Sequence, residues 1–362
     1  MQKINTTLMY TDLDEILIGR EILHFQIPYL TSLAPRCVII TEESLFSIYG
    51  AFLQKMFPRA HVLSFPGGEP HKTRETKARL EDQLLEKGFG RDTAIIAFGG
   101  GVVTDVVGFL ASSYCRGVPL VFIPTSLLAM CDAAIGGKTG VNTPHGKNMI
   151  GSIYQPKKVL IDLSFLDSLP QNEIKNGISE MIKHALIADR AYFDYLEENL
   201  ELLLLLDAEV VQKAIFESCR IKKEVVTRDE KEGGPRRLLN FGHTIAHALE
   251  NVTDYTLAHG EAVAIGMLVE SHISVQLGYL SRYSFDRIRK ICGFHKFSRL
   301  TSVDRLLNAM VLDKKSQNGR CRFVMIHEIG SCLSVDGHYC LAVDEAVIRN
   351  ALEWMNDALC CH

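Results

Sequence analysis

Two histidines stand four residues apart in the segment LNFGHTIAHALE, residues 239–250, at His243 and His247. Residues at i and i+4 share one face of a helix, so the spacing predicts two imidazoles on one side of a helical turn. Neutral imidazole binds zinc, and such a pair can hold a metal ion if a third ligand arrives from elsewhere. By itself the pair is equally compatible with structural or solvated histidines. The segments EMIKH at 180–184, before the pair, and HGE at 259–261, after it, supply further carboxylates and histidines, so a site of carboxylate and two histidines is plausible.

A glycine turn, GGGVVTD at residues 99–105, follows a predicted strand and opens a predicted helix. Backbone N–H groups at such a turn can approach a phosphate, and Asp105 could accept a hydrogen bond from a ribose hydroxyl. The usual dinucleotide spacing GxGxxG is not met, because Thr104 stands where the third glycine would be. A turn that serves only tight packing is the alternative interpretation.

Two lysines, Lys138 in GGKTGVN and Lys147 in GKNMIG, stand in glycine-flanked polar turns. This composition suits an anion held close to the backbone, although the spacing is not that of a Walker motif. The loop PGGEPHK, residues 66–72, also follows a predicted strand, and by itself it is typical of a surface turn. If these cations converge with Arg116, Lys183, Lys222 and Arg236, we expect a small substrate that carries phosphate and carboxylate.

The composition limits the class of protein. With 362 residues and 47% hydrophobic residues, the chain can bury a large core and is expected to form two domains. A net charge of −4 argues against nucleic acid and acidic membranes as partners. The chain shows neither a signal-like start nor an apolar run of membrane-spanning length, so we expect a cytoplasmic protein. The ten cysteines form no CxxC pair, so we interpret them as reduced residues that pack in the core. We interpret Cys360, Cys361 and His362 as a frayed tail.

The elements that must position these residues change in kind along the chain. Short runs rich in β-branched residues predict strands at 37–40, 61–64, 93–98 and 120–123, with helices at 73–87 and 102–112. Such alternation is typical of a parallel α/β sheet. After Pro170 the pattern predicts helices at 173–189, 191–206, 208–227, 239–252 and 261–277, and one strand-like run at 321–326.

From about residue 67 to residue 330 the sequence resembles the 3-dehydroquinate synthase family. The motifs occur in the family's order and spacing: GGG with Asp105, Tyr114 with Arg116 and Gly117, PTSLLA at 124–129, Asp132 with GGKTG, GKNMIG with Gln155 and Pro156, Glu180 with Lys183, and the histidine segment at 239–250. The resemblance implies an α/β, Rossmann-like NAD-binding domain at 1–168 and an all-α metal-binding domain at 169–362. It also implies a homodimer.

The resemblance assigns roles by motif position. The ligands of zinc or cobalt would be Glu180, His243 and His259, so that His247 contacts the substrate instead of the metal. The NAD-binding residues would be Gly67, Gly68, Glu69, Lys72, Gly100, Gly101, Val102, Val103, Thr104, Asp105, Thr125, Ser126, Lys138, Lys147, Phe165, Leu166, Asp167 and Ser168. The catalytic and substrate-binding residues would be Arg116, Asp132, Asn148, Lys183, Lys222, Arg236, Asn240 and His247, joined by Lys138 and one of Lys314 or Lys315. Thr104, Ser126 and Cys131 depart from the family's usual residues.

The resemblance implies conversion of 3-deoxy-D-arabino-heptulosonate 7-phosphate into 3-dehydroquinate and phosphate, the second step of the shikimate pathway. NAD would be used without net consumption. Three alternatives stay open: a related cyclase acting on sedoheptulose 7-phosphate or glucose 6-phosphate, an iron/zinc-type polyol dehydrogenase, and a non-catalytic metal- or nucleotide-binding protein. Arg236 and Lys222 favour an acidic substrate, whereas a dehydrogenase would accumulate NADH.

Overall fold

The computed structural model describes residues 2–5, 15–295, 302–312 and 321–359. The chain divides into two units, Met1–Leu169 and Pro170–His362. The expectations for Lys314, Lys315 and the tail of Cys360, Cys361 and His362 lie outside the described residues. In the ranges given above, each helix is too short or too polar to cross a membrane.

The first unit is built on a mostly parallel sheet. Its described strands are β1 (Gln2–Asn5), β2 (Glu15–Gly19), β3 (Arg36–Glu42), β4 (His61–Phe65), β5 (Thr93–Gly99), β6 (Leu120–Pro124), β7 (Lys138–Thr143), β8 (Gly146–Ile153) and β9 (Lys158–Asp162). Seven of them form one sheet in the order β1-β2-β9-β6-β5-β3-β4. The pairing of β1 with β2 is antiparallel, and the other pairs of this sheet are parallel.

The helices of the first unit alternate with these strands: α1 (Leu23–Ser32), α2 (Glu43–Met56), α3 (Arg74–Glu86) and α4 (Gly101–Ser113). Every residue of β5, β6 and β9 is buried, as expected for parallel strands that are covered on both faces. The four strands and two helices predicted here are confirmed as β3 to β6, α3 and α4.

Residues 138–153 form a hairpin, β7 paired with β8, and the expectation of two polar turns was wrong for most of this segment. Gly140 lies opposite Gly151 in the ladder, and the chain reverses at Pro144 and His145. Glycine has a low strand propensity. The glycines that allow the two backbones to approach therefore also weaken the strand signal in the sequence.

The winding of the sheet reverses between β3 and β5. β4 lies beyond β3 on one side, and β6 and β9 lie beyond β5 on the other. Ligands of open α/β sheets bind outside the carboxyl ends of the strands at such a reversal. β3 ends at Glu42 and β5 ends at Gly99, so the glycine turn at 99–101 lies where this rule places a ligand.

The second unit is mostly helical. Its described helices are α5 (Gln171–Ala188), α6 (Arg190–Glu198), α7 (Leu200–Leu204), α8 (Ala208–Arg228), α9 (His243–Val252), α10 (His259–Gln276), α11 (Arg282–Cys292), α12 (Val303–Leu312) and α13 (Glu345–Ala358). α10 is buried around its whole circumference from Ala262 to Ser274, which identifies it as the central helix of this unit. The predicted strand-like run contributes to the short strands β10 (Arg322–Phe323) and β11 (Ile326–Glu328), which pair with β13 (Leu341–Ala342) and β12 (Ser331–Cys332).

Helix boundaries differ from the sequence prediction where the backbone turns sharply. The helix expected at 239–252 begins only at His243, after a 3₁₀ turn at Pro235–Asn240. Gly242 between them has φ 80°, a left-handed conformation that glycine adopts without steric strain. The helix expected at 191–206 is split into α6 and α7 at Asn199.

Candidate active site

The predicted metal ligands come from three helices of the second unit. Glu180 lies on α5, and His243 and His259 are the first residues of α9 and α10. α10 contacts both α5 and α9, so the central helix sets the positions of the other two. The three side chains therefore meet although they are far apart in sequence.

Two close approaches fix the packing of these helices. A Cβ atom on Gly266 of α10 would lie 1.9 Å from the carbonyl oxygen of Gly242, so a larger residue would push the start of α9 away. The backbone N–H of Gly260 donates to Oδ1 of Asn176 at 2.9 Å and ties the start of α10 to α5. Both contacts lie within one helical turn or two of the proposed ligands, so they control where those side chains point.

The donor atoms are arranged as around one metal ion. Nε2 of His243 and Nε2 of His259 each lie 3.5 Å from Oε1 of Glu180, and all three donors lie within 4.8 Å of one another. Two ligands of a tetrahedral zinc ion, each bound at about 2.1 Å, are roughly 3.4 Å apart. One carboxylate and two imidazoles are also a donor set that suits zinc or cobalt. The residues present therefore fit a divalent metal ion.

Each imidazole is held through its other ring nitrogen. Nδ1 of His243 lies 3.2 Å from the carbonyl oxygen of Phe241, and Nδ1 of His259 lies 3.1 Å from Oε1 of Glu250. Burial alone would lower the pKa of His259, but Glu180 and Glu250 outweigh it and raise that pKa to about 10. The pocket around His259 thus stabilises positive charge.

His247 lies one turn beyond His243 on α9, and the two ring centroids are 5.6 Å apart. Among the described residues, the donor group that contains His243 joins it to Glu180 and His259 and leaves His247 out. The geometry therefore supports the ligands implied by the resemblance over the pair suggested by HxxxH spacing. His247 remains beside the predicted metal site as a predicted substrate contact.

Three cations are buried close to these helices. Lys183 and Arg236 are each 2% exposed and Lys222 is 7% exposed. They lie on α5, on the 3₁₀ turn and on α8, which contact one another. Lys183 pairs with Glu180, and Nη1 of Arg236 donates to the carbonyl oxygen of Glu230. Three basic side chains on neighbouring elements make the charge of this region suitable for an anionic ligand.

The loop before Arg236 is organised by a carboxylate that the sequence analysis did not single out. Asp229 accepts from the backbone N–H groups of Gly233 at 3.0 Å, Gly234 at 2.6 Å and Arg236 at 3.1 Å. Burial opposes ionisation, but these bonds and the Arg236 charge lower the pKa of Asp229. An aspartate followed closely by two glycines is the local signal that could have revealed this turn.

Asn240, at the end of the same 3₁₀ turn, donates through Nδ2 to Oε1 of Glu232 at 2.6 Å. Glu232 has φ 62°, a left-handed backbone that is uncommon for a residue with a side chain. The predicted substrate residue Asn240 is therefore oriented by a residue that spacing alone did not identify.

In the first unit, the loop after β4 meets the start of α4. Lys72 is 5% exposed and pairs with Asp105 of α4. A Cβ atom on Gly67 would lie 2.4 Å from Oε2 of Glu42, so a larger residue here would displace the Glu42 side chain. The structure thus brings predicted NAD-binding residues of two segments together at the point where the sheet winding reverses.

Asn142 joins the same loop to the β7–β8 hairpin, and the sequence analysis missed it. Its Nδ2 donates to Oε1 of Glu69 at 2.7 Å, and its Oδ1 accepts from the backbone N–H of Asn148 at 2.9 Å. Its own backbone N–H donates to the carbonyl oxygen of Lys72 at 2.8 Å. Nζ of Lys147 lies 3.8 Å from Oε1 of Glu69, so both predicted anion-binding segments meet here.

The other predicted residues of the first unit lie in unusual backbone segments. Arg116 and Asn148 are exposed, with φ 70° and φ 53°, in the left-handed region where strain often accompanies function. Asp132 lies in a π-helical turn, Ala129–Ala133, a feature that is frequent at functional sites. Lys138 is exposed at the start of β7.

The remaining predicted NAD contacts lie at the ends of β5, β6 and β9. The N–H of Thr125 donates to the carbonyl oxygen of Gly99 at 3.0 Å, and Ser126 Oγ accepts from Ala129 at 3.3 Å. Phe165 belongs to an aromatic cluster, with its ring 5.0 Å from that of Phe98. Three other predicted NAD contacts also have partners. Thr104 Oγ1 donates a hydrogen bond to the carbonyl oxygen of Gly101, Asp167 forms an ion pair with Arg20, and Ser168 is hydrogen-bonded to Tyr49.

The fold and the site together define a class of protein. A parallel α/β unit carries a glycine turn where the sheet winding reverses, and a helical unit carries a candidate metal site of one carboxylate and two histidines. Two family models match this chain, "3-dehydroquinate synthase N-terminal" over residues 62–176 and "3-dehydroquinate synthase C-terminal" over residues 177–316. A 3-dehydroquinate synthase from Legionella pneumophila subsp. pneumophila is 42% identical over 322 residues, which cover 87% of this chain and 86% of the relative. The chain belongs to the 3-dehydroquinate synthase family.

Solved structures of related enzymes share the whole fold. A 2-deoxy-scyllo-inosose synthase complexed with carbaglucose-6-phosphate, NAD+ and Co2+ superposes with a TM-score of 0.89 at 24% identity, covering 98% of this chain and 100% of the other. A 2-epi-5-epi-valiolone synthase from Streptomyces hygroscopicus subsp. jinggangensis 5008, with NAD+ and Zn2+ bound, gives 0.86 at 28% identity, covering 97% and 99%. The expectation of this two-part fold is confirmed.

Proposed function

We propose that this chain is a carbon–oxygen lyase that converts 3-deoxy-D-arabino-heptulosonate 7-phosphate into 3-dehydroquinate and phosphate. The observation that carries the proposal is the convergence of Glu180, His243 and His259 within 4.8 Å in a member of this family. The buried cations next to these helices supply the charge that a substrate with phosphate and carboxylate needs.

NAD and a zinc or cobalt ion are the proposed cofactors. The related solved structures that carry NAD+ with Zn2+ or Co2+ support this, as does the fit of the three donor side chains. When bound by Glu180, His243 and His259, the metal would lower the pKa of a substrate hydroxyl and polarise the ketone derived from it. NAD would take up a hydride and return it, without net consumption.

The chain's own residues bind, orient and move protons in this scheme. Lys183, Lys222 and Arg236 would hold the anionic groups, so that the substrate is oriented for elimination and ring closure. His247 would hold and transfer a proton at the substrate oxygen beside the metal site. Lys72 and Asp105, paired at the glycine turn, would bind the ribose and phosphate side of the dinucleotide.

The further proposed substrate contacts are Arg116, Asp132, Asn148 and Asn240. The proposed NAD contacts, and the proposed domain bounds of 1–168 and 169–362, are those implied by the resemblance. We also propose a homodimer that acts in the cytoplasm. The alternative function is that of a sugar-phosphate cyclase of the kind seen among the structural neighbours, but identity to those enzymes is 24% and 28%, against 42% to the 3-dehydroquinate synthase.

The test compares the heptulosonate phosphate with sedoheptulose 7-phosphate at saturating NAD and zinc, by phosphate release and by absorbance of NADH. We expect phosphate release from the acid and no net NADH. We also expect a much lower kcat/KM for sedoheptulose 7-phosphate, which lacks the carboxylate that the basic residues would bind. Equal kcat/KM values, or a preference for sedoheptulose 7-phosphate, would favour the alternative cyclase function instead. Net accumulation of NADH would replace the proposal with a polyol dehydrogenase.

A further inference from the structure

Glu250 is a buried carboxylate at the end of the helix that begins with His243. It is 2% exposed, and its Oε1 lies 3.1 Å from Nδ1 of His259. The opposite nitrogen of the same ring, Nε2, lies 3.5 Å from Oε1 of Glu180. His259 is thus held between two carboxylates, of which only Glu180 belongs to the donor group.

The two imidazoles of the donor group are oriented by different chemistry. His243 has a backbone carbonyl, that of Phe241, at its Nδ1, whereas His259 has a charged carboxylate. A carboxylate that accepts from Nδ1–H fixes the tautomer with the lone pair on Nε2, fixes the ring plane, and makes Nε2 a stronger donor. His259 needs such a hold, because its side chain is 33% exposed against 14% for His243.

The placement of Glu250 on α9 couples the two histidines. His243 and Glu250 are separated by seven residues, so they lie on one side of the helix about two turns apart. One helix therefore carries one proposed ligand and the group that orients the other. A shift of α9 along its axis would disturb both.

We propose that Glu250 is a positioning residue for the metal: it holds His259 so that Nε2 presents its lone pair to the ion. This inference rests on the proposed function, because it takes Glu180, His243 and His259 as the ligands. The competing interpretation is that Glu250 only fastens α9 to the start of α10. The two differ in whether metal affinity changes in a protein that remains folded.

The test measures the zinc dissociation constant of the metal-free full-length protein by competition with a chromophoric chelator. Loss of a group that orients a metal-bound histidine weakens binding by about 10–100-fold. We expect Glu250→Ala to lie near the upper end of this range and Glu250→Gln near the lower end, because the amide oxygen can still accept from Nδ1–H. The visible spectrum of the cobalt-loaded protein should shift in Glu250→Ala, since one ligand is no longer held.

Glu270→Gln is the matched control. Glu270 is also fully buried and lies on α10, eleven residues or about 16 Å along the helix from His259. It should bind zinc as the wild type does, even if its stability changes. Circular dichroism identifies the variants that are folded, and Glu250→Gln by itself decides the matter if Glu250→Ala does not fold.

Wild-type zinc affinity in the folded Glu250 variants would overturn the inference while leaving the ligand set intact. Failure of the wild-type protein to bind zinc or cobalt would overturn the proposed metal site, and the inference with it. Zinc affinity weakened equally by Glu270→Gln would show a general effect of altering a buried carboxyl group and would also overturn the inference.

Discussion

Glu180 contacts the largest number of the proposed functional side chains described above for the second unit: Lys183, His243 and His259. It is fully buried, it pairs with Lys183 one helical turn away, and Nε2 atoms of His243 and His259 lie on its other side. A buried carboxylate in contact with a cation and two imidazoles is a balanced cluster, in which each removal leaves the remaining groups unmatched. Single substitutions here should therefore have large effects.

His243→Ala and Glu180→Gln should each abolish turnover through loss of the metal, because a site with two protein ligands binds the ion far more weakly. Metal content measured by elemental analysis of the purified variants checks this. His272→Gln is the control, since His272 is stacked on Trp354 and lies outside the donor group. Stoichiometric zinc in both variants would contradict the ligand assignment.

His295 gives a separate prediction about pH and stability. Burial, assisted by Lys175, lowers its pKa to about 4, and its Nε2 lies 2.9 Å from Oγ of Ser179. In the unfolded chain His295 has a pKa of about 6.5, so between pH 6.5 and pH 4 the unfolded state binds a proton that the native state does not bind. The free energy of unfolding contributed above pH 6.5 is therefore lost as the pH falls towards 4. At pH 5 this group should destabilise the fold by about 2 kcal/mol relative to neutral pH.

Urea unfolding of the wild type and of His295→Gln at pH 7 and pH 5 measures this effect. Glutamine does not titrate, so the variant should lose less stability between the two values. The difference between the two proteins isolates His295 from the other titrating groups. Parallel losses would show that His295 is protonated without strain in the native state.

At the scale of elements, the 3₁₀ turn at Pro235–Asn240 determines where Arg236 and Asn240 point. The turn is short, and the Asp229 carboxylate accepts hydrogen bonds from three backbone N–H groups at its start, those of Gly233, Gly234 and Arg236. An irregular segment that must present a buried guanidinium needs such an anchor, because its backbone groups have no helical partners.

Asp229→Ala should raise KM for the phosphorylated acid more than it lowers kcat, because it releases the loop that holds Arg236. Arg236→Lys should also damage catalysis although it keeps the charge, since the planar fork that binds an oxyanion at two points is lost. Steady-state kinetics on both variants check this. Asp207→Ala is the control: Asp207 caps α8 through the N–H of Val210 at 3.1 Å, and its loss should lower stability by about 1 kcal/mol without changing KM. An unchanged KM in Asp229→Ala would separate Asp229 from substrate binding.

At the scale of the whole molecule, the two proposed cofactors depend on different units. The three proposed metal ligands lie in Pro170–His362, and the proposed NAD-binding residues lie in Met1–Leu169. Each unit has its own core, β5 and β6 in the first and α10 in the second. Loss of the metal should therefore leave the sheet and its glycine turn folded.

Chelator-treated protein should lose turnover and recover it on addition of zinc or cobalt, while its NAD dissociation constant stays close to that of untreated protein. Activity assays and calorimetric titration with NAD measure the two properties in the same sample. Full activity in rigorously metal-free protein would show that the histidines have a structural role. Loss of NAD binding together with the metal would show that the units do not respond independently.

The elements that follow local periodicity could be predicted from the amino-acid sequence alone. The runs at 93–98 and 120–123 are strands because continuous apolar residues with turns at both ends fit a parallel sheet that is covered on both faces. The family motifs also predicted metal, NAD and substrate residues, and this structure places the predicted metal ligands on α5, α9 and α10. These signals are local in the chain, so they can be read without coordinates.

Features that depend on contacts between distant segments became visible only in the folded chain. The spacing of His243 and His247 favoured that pair, whereas packing of α9 and α10 through Gly242 and Gly266 brings His259 to Glu180 instead. The roles of Glu250, Asp229 and Asn142 likewise come from hydrogen bonds made across turns and between elements. Helical periodicity determines which residues share a face, but only the contact of two backbones determines which faces meet.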